Sequence, residues 1–233
     1  YSAPSVKKAF KILQAIADSS QGLGVSELGK KLSLGKSTVH GITTGLEALG
    51  VLVRDPVQKK FSLGYTLLEL SRKAYAKMEL RDLARIPMER LRGKIEETVF
   101  LGIMNGDHIT ILDVVESDNE VKITSPPGTR LPLLAGATGK VFLSQLEDER
   151  AKEIVKKMEL VKYTSRSVID PKKFIKEVEE AKKKGYAIDN EEYILGVRAI
   201  AAPIQSQSLP PAAIWVVGFV SSLTDQKIEK VIL

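Results

Sequence analysis

Apolar positions in the first fifty residues recur at helical spacing three times. Phe10, Leu13, Ile16 and Ala17 form one stripe, with Ser5 placed to cap its start. Residues 18–22 are a run of chain breakers, and a short second helix follows, opening at Ser26 with Leu28 and Leu32 facing inward. Ser33-Leu34-Gly35 makes a tight turn. A third helix then runs from about Lys36 to Leu49 and stops at Gly50. Its apolar positions Val39, Ile42, Leu46 and Leu49 step by three, four and three, while Ser37, His40, Gly41 and Thr44 fall on the other side. The period then changes. Residues 51–54 are β-prone, Asp55-Pro56 turns, and residues 59–63 return as a second strand, with Arg54, Lys59 and Lys60 near the tip of the hairpin.

A short helix, a three-residue turn and a second helix with small polar residues at its start describe a helix-turn-helix. The same three helices also serve as protein-interaction modules. The basic hairpin decides for DNA, because a strand pair directly after the third helix is a wing placed to touch the phosphate backbone. Candidate contacts to base edges and phosphates are Lys36, Ser37, Thr38, His40 and Thr44 on the third helix, and Arg54, Lys59 and Lys60 on the wing. Charge agrees. Residues 1–65 hold nine Lys/Arg against four Asp/Glu, a net +5 out of the whole chain's +6. A winged helix that binds protein instead would lack the steep salt dependence that phosphate contacts impose.

Residues 65–78 read as a linker helix, with Leu67, Leu68, Leu70, Ala74 and Tyr75 mostly on one side. That stripe needs cover, from a second subunit or from its own domain. An amphipathic helix from 81 to about 94 follows, then strands at 98–104 and 109–115 joined by Asn105-Gly106-Asp107. A further strand is expected at 121–125, closed by Pro126-Pro127-Gly128. Helices are expected at 139–144, 147–158 and 171–184, strands at 186–189, 199–204 and 213–220, and a last helix from 224. This order predicts an α+β protein of three parts: a winged helix-turn-helix at 1–64, a helical linker at 65–80, and a second domain at 81–233 with a mostly antiparallel sheet.

Composition narrows the function classes. The 233 residues contain no apolar run near the ~20 needed to span a bilayer, and the first residues are polar rather than signal-like. The chain does not open on Met, so it is read as part of a longer one. It has no Cys, which excludes disulfides and thiolate metal sites and agrees with a cytoplasmic location. Gly136 to Lys140 is glycine-rich, but Val141 stands where a phosphate loop needs Ser or Thr. His108 has no His or Cys partner at ligand spacing, and the other His lies on the third helix. No catalytic set, metal or cofactor is expected.

The order Ser37-Thr38, Leu46-Glu47-Ala48-Leu49-Gly50, Phe61-Ser62-Leu63-Gly64 and Leu67-Leu68-Glu69-Leu70 resembles the IclR-type transcriptional regulators. In the second domain, Gly128-Thr129-Arg130-Leu131-Pro132-Leu133 with Gly136-Ala137-Thr138-Gly139-Lys140 is similar to one family stretch. Asp189-Asn190-Glu191-Glu192 with Gly196 and Ile200-Ala201-Ala202-Pro203-Ile204 is similar to another. The resemblance implies a GAF-like sensor domain that binds a small-molecule effector and adjusts operator binding. It implies effector contacts at the turn of Ala137, Thr138 and Gly139, at Asp189, and at Ala199, Trp215 and Val217. Asn190, Glu191 and Glu192 read as solvated or dimer-supporting. Four departures stand out: Gly41 where an Arg is frequent, Ala199 in place of Cys, and Trp215 and Val217 in place of Ser. The turn Gln205–Pro211 also lacks the family's Gly. The expected partners are double-stranded operator DNA and an organic carboxylate with an apolar body, bound by a homodimer or dimer of dimers with no membrane contact. The alternative is that Trp215 fills the cavity and no ligand binds.

Overall fold

The computed structural model describes residues 3–75, 79–205 and 210–232, and the chain divides into two compact units, Tyr1–Met78 and Glu79–Leu233. The first unit holds α1 (Pro4–Ala17), α2 (Val25–Leu32), α3 (Lys36–Ala48), β1 (Leu52–Arg54), β2 (Phe61–Leu63) and α4 (Tyr65–Tyr75). Its core is Ile12, Ala15, Ile16, Leu28, Val39, Leu52 and Phe61. The face of α1 is therefore turned by one position from the expected stripe. Ile12 and Ala15 go inward with Ile16, Phe10 is 62% exposed, and Ala17 is exposed. Ser5 does not cap. Ala3 is the N-cap and Pro4 occupies the first helical position, where a missing N–H costs nothing. Likewise α2 starts after Gly24, whose N–H donates to the Glu27 carboxylate at 2.7 Å, rather than at Ser26. Leu49, expected on the inner stripe of α3, lies past the helix end as its C-cap and is 68% exposed.

β1 and β2 pair antiparallel as Leu52↔Leu63, Val53↔Ser62 and Arg54↔Phe61. Asp55 closes the tip by accepting the N–H groups of Val57 and Gln58, both at 2.8 Å. The returning strand is tied to the loop before α2 by reciprocal bonds between Leu23 and Phe61. The helix predicted over 65–78 is described as far as Tyr75, and residues 76–78 lie outside the described residues.

The second unit is a six-stranded sheet in the order β5-β4-β3-β8-β7-β6, with every ladder antiparallel. In chain order it runs α5 (Glu79–Ile95), β3 (Thr98–Asn105), β4 (His108–Val115), β5 (Arg130–Pro132), α6 (Gly136–Ser144), α7 (Asp148–Lys157), α8 (Pro171–Lys184), β6 (Ala187–Asn190), β7 (Val197–Ile204), β8 (Ala212–Phe219) and α9 (Asp225–Ile232). The β3–β4 turn is two residues long, with Gly106 at φ +65° as the hairpin requires. No strand forms at 121–125. The strand that pairs with β4 is Arg130–Pro132, and residues 121–125 run as irregular chain with Ile123 and Ser125 turned partly inward. Residues 206–209 of the turn after β7 lie outside the described residues.

Phe100, Ile111, Ala201, Ala213 and Trp215 face one side of the sheet and share a core with α6, α7 and α8. α5 lies along β3 and β4. The pairing of β3 with β4 skips a residue, with Leu101 opposite Asp113 and Gly102 opposite Ile111, so Leu112 is a bulge. The bulge leaves Ile111 and Val114 with the α6 core and lets the buried Asp113 meet Arg81 at 3.4 Å and Arg85 at 3.5 Å on α5.

Candidate nucleic-acid interface and ligand pocket

On α3 the buried positions are Val39 and Thr43, with Ile42 and Leu46 partly covered. Thr43 can be buried because its hydroxyl donates to the carbonyls of Val39 and His40 at 2.9 and 3.1 Å. This leaves Lys36, Ser37, His40, Gly41 and Thr44 exposed along the opposite face, with Thr38 half-buried at its edge. His40 Nδ1 and Thr44 Oγ1 lie 3.1 Å apart, so the two side chains hold each other in place one turn apart. Gly45, which sequence reasoning passed over, joins Gly41 on this face. No atom lies within 4 Å of where a Cβ would sit at either position. Glycine inside a helix costs about 1 kcal/mol against alanine, and packing does not require it here. The pair leaves bare backbone between the polar side chains, and their four-residue spacing was the signal for it.

The three wing cations differ. The Arg54 guanidinium lies 5.6 Å from the centre of the Phe61 ring, within cation–π reach. Lys60 Nζ is 3.8 Å from the Glu27 carboxylate. Lys59 is exposed at the turn, with φ +55°.

In the second unit, Ala137, Thr138, Asp189, Ala199, Trp215 and Val217 line one cavity of about 90 Å³. Trp215 and Val217 are two apart on β8 and face the same side, as strand alternation requires. α6 begins at Gly136, three residues before the expected start, and Gly136 itself stands at φ +50°, a conformation glycine alone adopts without strain. Ala137 and Thr138 thus sit in the first turn, ahead of the first bond from a helical amide, Gly139 N–H to Ala135 O at 3.0 Å. Gly139, expected beside them, is not among the residues that line the cavity. Its amide is used, and a Cβ there would lie 2.6 Å from the Leu133 carbonyl, so it is a packing glycine. Phe100, Ile111, Ile123, Tyr193 and Ile194 also line the cavity and were missed. The hairpin register that sets Gly102 opposite Ile111 puts Ile111 on the same side as Phe100.

Asp189 is buried, and its Oδ1 accepts the Glu192 N–H at 2.6 Å. Burial pushes its carboxyl above the usual carboxylate range, against the pull of the Glu192 and Tyr193 amides and of Lys140. Of the residues that follow, Asn190 is exposed as a solvated residue would be, while Glu191 and Glu192 are largely covered. Glu191 pairs with Arg166 at 2.6 Å and accepts the Gly196 N–H at 2.9 Å. Glu192 pairs at 2.6 Å with Lys140, which also meets Glu177 of α8 at 2.7 Å. Lys140, set aside as a failed phosphate-loop lysine, is the centre of a buried ion triad. Burial by itself lowers its pKa, but the attraction and hydrogen bonds of Glu192 and Glu177 outweigh it and leave the ammonium raised. His108 is 2.9 Å from Asp107 and 3.0 Å from Arg130, and no metal-holding cluster occurs among the described residues. No described helix is long and apolar enough to cross a membrane.

Comparison with known proteins bears on both units. Residues 72–233 match the family described as bacterial transcriptional regulator IclR C-terminal, and residues 5–56 match the IclR helix-turn-helix domain. The HTH-type transcriptional regulator BhcR of Paracoccus denitrificans is 34% identical over 86% of this chain and 71% of its own length. KdgR of Escherichia coli is 31% identical over 87% of this chain and 77% of its own. The Thermotoga maritima IclR structure, 29% identical, aligns with a TM-score of 0.70 over 97% of this chain and 92% of that one. An IclR homologue from Microbacterium hydrocarbonoxydans, complexed with 4-hydroxybenzoate, aligns at 0.78 with 21% identity over 97% and 93%.

Proposed function

The chain belongs to the IclR family of bacterial transcriptional regulators and is not an enzyme, and from that premise we propose that it reads a two-fold operator with α3 and the wing under control of a small organic carboxylate with an apolar body. The observation that carries the first half is the exposed row of Lys36, Ser37, His40 and Thr44 beside bare backbone at Gly41 and Gly45. Small polar side chains on an otherwise low helix face can reach base edges in the major groove. Arg54, Lys59 and Lys60 supply phosphate contacts, and Thr38 sits at the helix start, where amides attract phosphate. The protein works in the cytoplasm on double-stranded DNA.

Replacing His40 or Thr44 by alanine should cost about 1–3 kcal/mol on the operator and relax the choice of base there. Lys59→Ala should weaken binding to all sequences alike and reduce the log–log salt slope by roughly one unit. Lys60→Ala should change the slope less, because Glu27 already shares that charge. Quantitative gel shifts across a salt series measure both. Full affinity and unchanged preference in the α3 variants would remove α3 from the interface.

Two-fold operators require a second copy. The outer side of α4 supports this, since Leu68 is 67% exposed and Tyr65 and Leu70 are exposed as well. Sedimentation at micromolar concentration should give a homodimer or a dimer of dimers. A monomer holding a palindromic site at full affinity would contradict it.

The effector half rests on the first turn of α6. The amides of Ala137 and Thr138 precede the first helical bond and border the cavity, where a carboxylate would accept them at the positive end of the helix. Asp189, with its carboxyl raised by burial, opposes an anion less than an ordinary aspartate would. Apart from Ser125 and Tyr193, the rest of the lining, with Ala199, Trp215 and Val217, is apolar and suits the body of the acid. The Microbacterium homologue complexed with 4-hydroxybenzoate likewise holds an organic carboxylate.

A further inference from the structure

We infer that Trp215, seated over Gly102, is the specificity-determining residue of the effector pocket: it limits the ligand to a short aliphatic monocarboxylate and excludes aromatic acids. This rests on the effector reading above and deepens it.

β3 and β8 pair with Phe100 opposite Trp215 and Gly102 opposite Ala213, so Gly102 lies diagonally next to Trp215 on the pocket side of the sheet. The indole extends across that glycine. A Cβ on Gly102 would stand 2.8 Å from Cη2 and 3.0 Å from Cζ3 of the ring, and 2.9 Å from the Thr110 carbonyl. Only a residue without a side chain lets the ring lie there. Phe100 stacks on the indole with centroids 5.6 Å apart and planes 13° from parallel. Trp215 is thereby fixed from two sides and 3% exposed.

The cavity left beside it is about 90 Å³. A cavity of roughly 150 Å³ holds benzene. The space therefore suits an acid of propionate to isobutyrate size and is too small for a ring.

The wall carrying Tyr193 and Ile194 does not widen cheaply. Tyr193 meets Tyr163 edge-on at 4.8 Å. The backbone just before it is hooked by the Thr164 hydroxyl to the Glu191 carbonyl at 2.6 Å and by the Ser167 hydroxyl to the Glu192 carbonyl at 2.7 Å. The ring of Trp215 is the part of the boundary whose removal gains most volume.

The test is isothermal titration of the full chain with isobutyrate and with benzoate, in the parent protein and in Trp215→Ser, Trp215→Leu and Gly102→Ala, each checked for folding by circular dichroism. The parent should bind isobutyrate at least about tenfold more tightly than benzoate. Trp215→Ser should shift that ratio toward benzoate by about tenfold or more, and Trp215→Leu should shift it in the same direction by less. Gly102→Ala pushes the indole into the cavity, so isobutyrate should weaken with no gain for benzoate. If Trp215→Ser fails to fold, the Leu and Ala variants carry the same comparison. Parent protein binding benzoate as tightly as isobutyrate, or an unchanged ratio in the folded variants, overturns the inference while leaving the effector reading in place. Neither acid binding any of the proteins overturns both.

Discussion

Replacing Lys140 by alanine should lower the unfolding temperature of the second unit by about 10 °C, from a loss of roughly 3–5 kcal/mol. The lysine side chain is 4% exposed and bridges Glu192 at 2.6 Å and Glu177 at 2.7 Å. Alanine removes the cation and leaves two carboxylates facing each other in a poorly solvated space, which costs far more than the lost attraction alone. The deficit should shrink as pH falls into the carboxylate range. In the variant, Glu192 loses its cation, so its carboxyl, already raised by burial, stands further above its unfolded value, while Glu177 keeps Lys173 within 4.0 Å. Such a raised group favours the folded state below the unfolded pKa and opposes it as pH rises. Combining Lys140→Ala with Glu177→Gln and Glu192→Gln should restore most of the stability at neutral pH. Differential scanning calorimetry measures all of this, and a drop under about 3 °C for the single variant would mean water already reaches the triad.

Gly136→Ala should remove the effector response while leaving effector-free operator binding intact. Gly136 sits at φ +50°, where a side chain is strained by about 1–3 kcal/mol. A Cβ there would also come within 2.0 Å of Asp189 Oδ2. Asp189 cannot yield easily, since its other oxygen accepts the Glu192 amide at 2.6 Å. The start of α6 or the acid must shift, and both border the cavity. Affinity for a short carboxylate should fall roughly tenfold to hundredfold, by titration calorimetry. Unaltered affinity in a folded variant would place the ligand elsewhere.

Much of this was legible in the sequence where one local rule decided the outcome. The 3.6-residue period of α3 located its exposed polar face, the Gly106 turn fixed the β3–β4 hairpin, and Pro171 and Gly185 bounded α8. What escaped had two competing local answers. On α1, both Phe10 and Ile12 fit an apolar stripe, and only the fit against Leu28 and Phe61 selects Ile12. Residues 121–125 have strand-like side chains, but the edge of β4 was taken by Arg130–Pro132. The Lys140 triad joins residues far apart in sequence, so no window of sequence contained it. Trp215 and Val217 were placed on one side by alternation, whereas the glycine that makes room for the indole belongs to another strand.

The bare strip on α3 bears on how that helix keeps its order. Gly41, Gly45, Val39, Ile42, Thr38, Thr43 and Thr44 are all indifferent or poor helix formers, so the segment would hardly be helical alone in water. Its regularity is borrowed from α1 and α2 through Val39, Thr43 and the partly covered Ile42 and Leu46. Loosening that small core would let α3 fray while α1 and α2 persist. Its amides would exchange with solvent earlier than theirs. With α3 reading the operator as proposed, fidelity in choosing it is tied to the tightness of a handful of aliphatic contacts, and warming would blur it before the unit unfolds.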